Sequence, residues 1–169
     1  MLNEVKVRLT WLVIGLFASL LTAGLINNFD QVLDRNLVLA SFIPLIVYMS
    51  DAVVTQMEAM IIRELNNKKK FNFRGFFQRQ LIVVTIIGMI IASIATGVVG
   101  IWKSDFNLAI VVGASLLSGI LTSLVTGAVM PYFFWKLHQD PAEASGPIAT
   151  VIQDFLSVLV FFLVASVLL

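Results

Sequence analysis

The sequence predicts an all-α integral membrane protein with five transmembrane helices per subunit. Three observations predict it. Apolar residues make up 59% of the 169 residues and charged residues only 12%, against about 45–50% and about 25% in a soluble domain. The mean hydropathy is +0.98, more apolar surface than a core of this size can hide. Finally, the apolar residues fall into five stretches of the length a bilayer requires, about 17–25 residues.

The stretches can be taken in order. Residues 9–29 hold no charge. They are too long and too poor in small residues near a cleavage point to be a removable signal. Residues 37–65 are long enough but contain Pro44, Asp51 and Glu58, so a kinked or interrupted helix is expected. Residues 81–102 and 108–135 also fit and hold no charge. Residues 148–169 close the chain and enclose Asp154. The whole of 1–169 reads as a single transmembrane domain with lipid as its surroundings. Gly146 suits an N-cap and Pro147 the first helical position, where its missing N–H costs nothing.

Nine of the eleven basic residues fall on one side of this arrangement: Lys6, Arg8, Arg63, Lys68, Lys69, Lys70, Arg74, Arg79 and Lys136. The side richer in Lys and Arg is the cytoplasmic one. The N-terminus and the basic loop 66–80 are therefore expected inside a cell membrane and the C-terminus outside. In the same loop Phe71, Phe73, Phe76 and Phe77 suit an interfacial helix among lipid headgroups. Net charge is +1 and there is no cysteine. The sequence thus offers no disulfide, no thiolate metal site and no sign of a nucleic-acid partner.

Gly88, Ala92, Thr96 and Gly100 recur every four residues, as do Ser115, Gly119, Ser123 and Gly127. Such ladders let helix backbones approach closely in lipid. Five helices enclose little space, so a conduction path at a two-fold axis between two copies is expected.

The chemistry lies in the acids. Asp154 sits seven residues beyond Pro147, about 10 Å along a helix, where an aspartate costs about 2.5–3.5 kcal/mol. Gly146, Thr150 and Asp154 share one helical face, with Ser157 continuing it. Asp51, Thr55 and Glu58 share a face of the second span. Glu58 and Arg63 lie close enough to the end of that span for either to reach the interface. The one histidine, His138, falls in a loop. Oxygen ligands without a His or Cys cluster favour a hard cation. Magnesium is usually held by one or two carboxylates with the remaining waters kept.

These residues carry a resemblance. "DPAEASGPIATVIQD", residues 140–154, is similar to the final-helix motif of the MgtE-type magnesium transporter family. "RLTWL" resembles that family's entry to its first membrane helix, and "FIPLIVYMSDAVVTQMEAMIIREL" its second helix. The resemblance implies a homodimer of five-helix subunits with the cation pore at the interface. It implies Asp154 as the pore carboxylate, the backbone at Thr150 facing the ion, and Asp140 as an acidic residue on the cytoplasmic side. The family's Gly-Gly-Asn-x-Gly-x-Gln signature is reduced here to Gln56, and Asp51 stands beside the position of the lost asparagine, as a carboxylate moved into the pore. The expected metal-site residues are Asp154, Thr150, Gly146, Asp51, Thr55 and Asp140. Only about eight residues precede the first span, so gating by the large cytosolic domains of many family members is not expected within this chain; a separate regulatory protein is a candidate partner.

The expected function is movement of a divalent cation inward, magnesium first and Mn2+, Co2+ or Ca2+ as alternatives. A proton-coupled cation exchanger and a non-transporting scaffold or assembly subunit stay open. No enzymatic activity is expected: as an intramembrane aspartyl protease, Asp51 and Asp154 lack the Gly-x-Gly-Asp context.

Overall fold

A computed structural model describes residues 2–67 and 71–169; Lys68, Lys69 and Lys70 of the basic loop lie outside the described residues. The elements are α1 (Leu2–Asn27), a short α2 (Asp30–Arg35), a 3-10 segment (Leu37–Phe42), α3 (Ile43–Asn67), α4 (Phe73–Lys103), α5 (Phe106–Lys136) and α6 (Pro141–Leu168). Five helical segments are long and apolar enough to cross a membrane, as the apolar stretches require.

The differences from the expected bounds have local causes. Pro44 is the second residue of α3, not a kink within it. Proline is tolerated in a first turn, where its missing N–H has no partner to lose. The interruption expected from Pro44 is the change from 3-10 to α geometry at Ile43. α4 begins at Phe73, capped by the Asn72 side chain, which accepts from Gly75 N–H at 3.1 Å. Phe73, Phe76 and Phe77 therefore belong to the third span itself and form no separate interfacial helix. Their rings join an aromatic cluster at one end of the bundle, with Phe73 stacked on Tyr132 of α5 at 4.4 Å between centroids. Ser104, in left-handed geometry at φ 53°, and Asp105, whose carboxylate caps Leu108 N–H at 3.0 Å, turn the chain from α4 into α5.

The start of the last helix corrects the sequence reading. α6 begins at Pro141, not at Ile148, with Asp140 as its N-cap accepting from Ala142 N–H at 2.9 Å. Gly146 and Pro147 lie inside the helix. Proline in the first helical position and an aspartate before it form the stronger start signal, and the same signal was available six residues earlier than "SGP". His138 is exposed in the turn between α5 and α6, at φ 57°.

α5 is the central helix. It packs on α3, α4 and α6, while α1 packs on α6. Of the most apolar window in each span, 61% is buried in α5 and 6% in α1. The small-residue ladders explain the centre. A Cβ placed on Gly127 would lie 2.7 Å from Met57 Cβ and 2.9 Å from the Val54 carbonyl of α3. One on Gly119 would lie 2.5 Å from Ser50 Oγ, and one on Gly113 would overlap Thr96 of α4. On α4, a Cβ at Gly88 would meet Leu117 at 3.0 Å. One face of α5 thus takes α3 and another takes α4, and glycine sets both distances.

Gly127→Leu is expected to destabilise the bundle by about 1–3 kcal/mol through overpacking, read as a lower midpoint of thermal unfolding in detergent. Gly97, whose added Cβ meets nothing within 4 Å, is the control: Gly97→Ala is expected to leave the midpoint unchanged or raise it, since alanine is the better helix former.

Candidate cation site

α3 and α6 lie side by side, and their seam holds the acids. The carboxyl groups of Asp51 and Asp154 face each other across it, close enough to interact directly. Both residues are part-buried, and each has one carboxylate oxygen buried with no hydrogen-bond partner. Glu58 lies further along α3, buried at 8% exposure beside the Ser145 hydroxyl of α6, and its Oε1 also has no partner. Glu58 does not reach for the interface with Arg63: α6 covers it. Like charges held together out of water repel and are poorly solvated. Carboxylate oxygens without donors, facing one another inside a membrane, are an arrangement that a cation would relieve.

The other expected residues separate into two groups. Gly146 and Thr150 sit with Asp154 at four-residue spacing on α6, all part-buried. A Cβ at Gly146 would meet nothing within 4 Å, so this face of α6 is open rather than packed. Thr55, one turn beyond Asp51 on α3, is exposed. Asp140 stands apart. Fourteen residues of helix, about 21 Å, separate it from Asp154, and its carboxylate is engaged in capping α6. Ser157 does not continue the open face. It is fully buried and accepts a hydrogen bond from Gln153. Among the described residues, no group of three or more His, Cys, Asp or Glu is placed to hold a metal ion. Among the described residues, one subunit therefore offers a carboxylate pair rather than a complete set of ligands.

Sequence reasoning missed Gln153. It is fully buried beside Asp154, with four hydrogen-bonding partners within reach of its amide. Thr126 Oγ1 donates to its Oε1 at 2.6 Å. Its Nε2 lies 3.2 Å from the Gly119 carbonyl, 3.0 Å from Thr122 Oγ1 and 3.0 Å from Ser157 Oγ. The available signal was a primary amide in an apolar helix, four residues before Ser157, where intrahelical pairing is possible.

The fold and the seam define a class: a multi-pass helical membrane protein with an acidic site between two of its spans. The chain belongs to the MgtE family, whose model, described as a divalent cation transporter, matches residues 43–164. It is 33% identical over 167 residues to the magnesium transporter MgtE of Enterococcus faecalis, covering 98% of this chain and 37% of that protein. It is 33% identical over 166 residues to the Bacillus subtilis protein of the same name, covering 94% and 36%. To the one from Thermus thermophilus it is 27% identical over 164 residues, covering 96% and 36%. The chain thus spans little more than a third of the length of these relatives.

With chelator present, Asp154→Asn and Asp51→Asn are each expected to raise the thermal midpoint, a stabilisation on the order of 1 kcal/mol, because either replaces one of two adjacent carboxyl groups with a neutral amide. A lowered midpoint for both in calorimetry of the detergent-solubilised protein would mean that the pair is held by other donors.

Proposed function

We propose that this chain forms a pathway for a divalent cation, magnesium in the first place, centred on Asp154. The observation that carries the reading is the Asp51–Asp154 pair, with carboxylate oxygens lacking donors inside membrane-spanning helices. Asp154 and Asp51 hold the ion, and Thr150 and Gly146 line the open face of α6 that leads to it. Thr55 extends the polar face on α3. Asp140 caps α6 at the cytoplasmic end and acts there as an entrance charge at most. The names of the relatives, magnesium transporters, support the choice of ion.

The pathway runs between two copies of the chain. A two-fold axis beside α6 brings together two Asp154 side chains, and a single divalent ion with its waters offsets both. Thr55 and Gln56, exposed on α3 within an apolar span of 31 residues, are covered by the second copy rather than by lipid. The basic residues set the N-terminus and the loop 66–80 in the cytoplasm and the C-terminus outside. No ATP is required: about 2.3 kcal/mol per charge per 100 mV, doubled for a divalent ion, drives it inward.

The test is uptake into proteoliposomes holding a fluorescent magnesium indicator. The native protein is expected to take up magnesium, and Asp154→Asn to lose at least about tenfold of that rate, as metal ligands do. Manganese, cobalt and calcium as competitors rank selectivity. Equal rates for native protein and variant would overturn the reading. Uptake that requires an opposing proton gradient would convert the pathway into an exchanger. For orientation, the chain has no cysteine, so single substitutions report cleanly. Lys103→Cys is expected to react with an impermeant maleimide added outside cells, and Asn66→Cys only after lysis.

A further inference from the structure

We infer that Gln153 is the positioning residue of the cation site: it sets the rotation of α6 about its own axis, and with it the gap between Asp154 and Asp51. The inference rests on the cation-pathway reading and names what holds that site in shape.

Gln153 is fully buried, and a buried amide is tolerated only when its polar atoms are bonded. Its Oε1 accepts from Thr126, and its Nε2 has three acceptors in reach for two hydrogens. Three of the four partners lie on α5, within residues 119–126, and the fourth, Ser157, lies one turn away on α6 itself. Any rotation of α6 strands a donor or an acceptor where no water replaces it.

The same turns of α5 hold the other acid. Ser123 Oγ lies 2.8 Å from the Ser50 carbonyl and 2.8 Å from the Gly119 carbonyl. The Gly119 carbonyl is also the acceptor 3.2 Å from Gln153 Nε2. Ser50 precedes Asp51, and Gln153 precedes Asp154. Both carboxylates are therefore referenced, each through its immediate neighbour, to residues 119–126 of α5. Glycine at 119 keeps α3 close enough for this, since an added Cβ would lie 2.5 Å from Ser50 Oγ. The gap between the acids is then a fixed length rather than one that adapts to each ion, and it decides which hydrated cation is accepted.

The experiment uses Gln153→Leu, which nearly keeps the volume and removes every hydrogen bond of the amide, and Thr126→Val, which removes the one to Oε1 and keeps the shape. Both are reconstituted and assayed with magnesium and with manganese. Relative to the native protein, the half-saturating magnesium concentration is expected to rise about tenfold in Gln153→Leu, with a smaller rise in Thr126→Val and maximal flux per folded protein held within about twofold. The manganese-to-magnesium preference is expected to shift in both. A second readout needs no transport. An Asp51→Cys/Asp154→Cys pair is joined by a short bis-maleimide, and joining is expected to slow when Gln153→Leu is added. Native half-saturation, native preference and native cross-linking in both variants would overturn the inference, as would a loss confined to maximal flux. Were the native protein to show no flux dependent on Asp154, the pathway reading would fail, and the cross-linking rate would still decide whether Gln153 positions α6.

Discussion

The close approach of α5 to its neighbours is the constraint on which the rest of this bundle depends. Lipid tails are as apolar as leucine, so burying leucine between helices gains little. What holds membrane helices together is contact at short range. Here the contact is made by glycine: Gly127 against the Val54 backbone, Gly119 against Ser50, Gly113 against Thr96. At those distances main-chain carbonyls of one helix come within reach of side chains on the next. Ser123 reaches the Ser50 carbonyl and Gln153 reaches the Gly119 carbonyl only because no side chain stands between.

That tightness is what allows two acids to be kept inside the membrane at a defined separation. Asp51 and Asp154 are on different helices, and neither α3 nor α6 could hold a partner in place by its own stiffness. Beneath them the Gln153 amide and the Ser123 hydroxyl are hydrogen-bonded to α5 and α3, and bonded polar groups of this kind add rigidity rather than cost. The acids are the reverse: part-exposed, with oxygens left over. Unpartnered acids lying over a hydrogen-bonded amide follow the arrangement in which a site is supported from behind by groups whose own positions are fixed.

Within the MgtE family the altered second helix gains a physical meaning. Gln56, the residue of that helix that carries the resemblance, is exposed on α3, while Asp51 turns toward α6 and meets Asp154. Under the proposed function, a second carboxylate raises the negative charge offered to an ion and the cost of leaving the pair empty. Glu58 extends the same acidic line along α3, buried under α6 beside Ser145.

Much of this was legible from the residues alone. Composition and the spacing of apolar stretches determined five spans, because the thickness of a bilayer sets helix length whatever the neighbours do. Four-residue ladders of small residues determined that helices would pack there, since that period returns to one face. An aspartate in an apolar helix marked Asp154, because its cost there is intrinsic. Other features depended on neighbours that spacing does not reveal. Whether helix α6 began at Pro141 or Pro147 turned on which of two similar start signals the chain used. Whether Glu58 reached the interface or was covered turned on where α6 crosses α3. Ser157 left the open face because Gln153 claimed it. The role of Gln153 is wholly tertiary: a glutamine in a sequence states that a carbonyl oxygen and two N–H donors need partners, and only the packing of α5 against α6 decides which atoms those are.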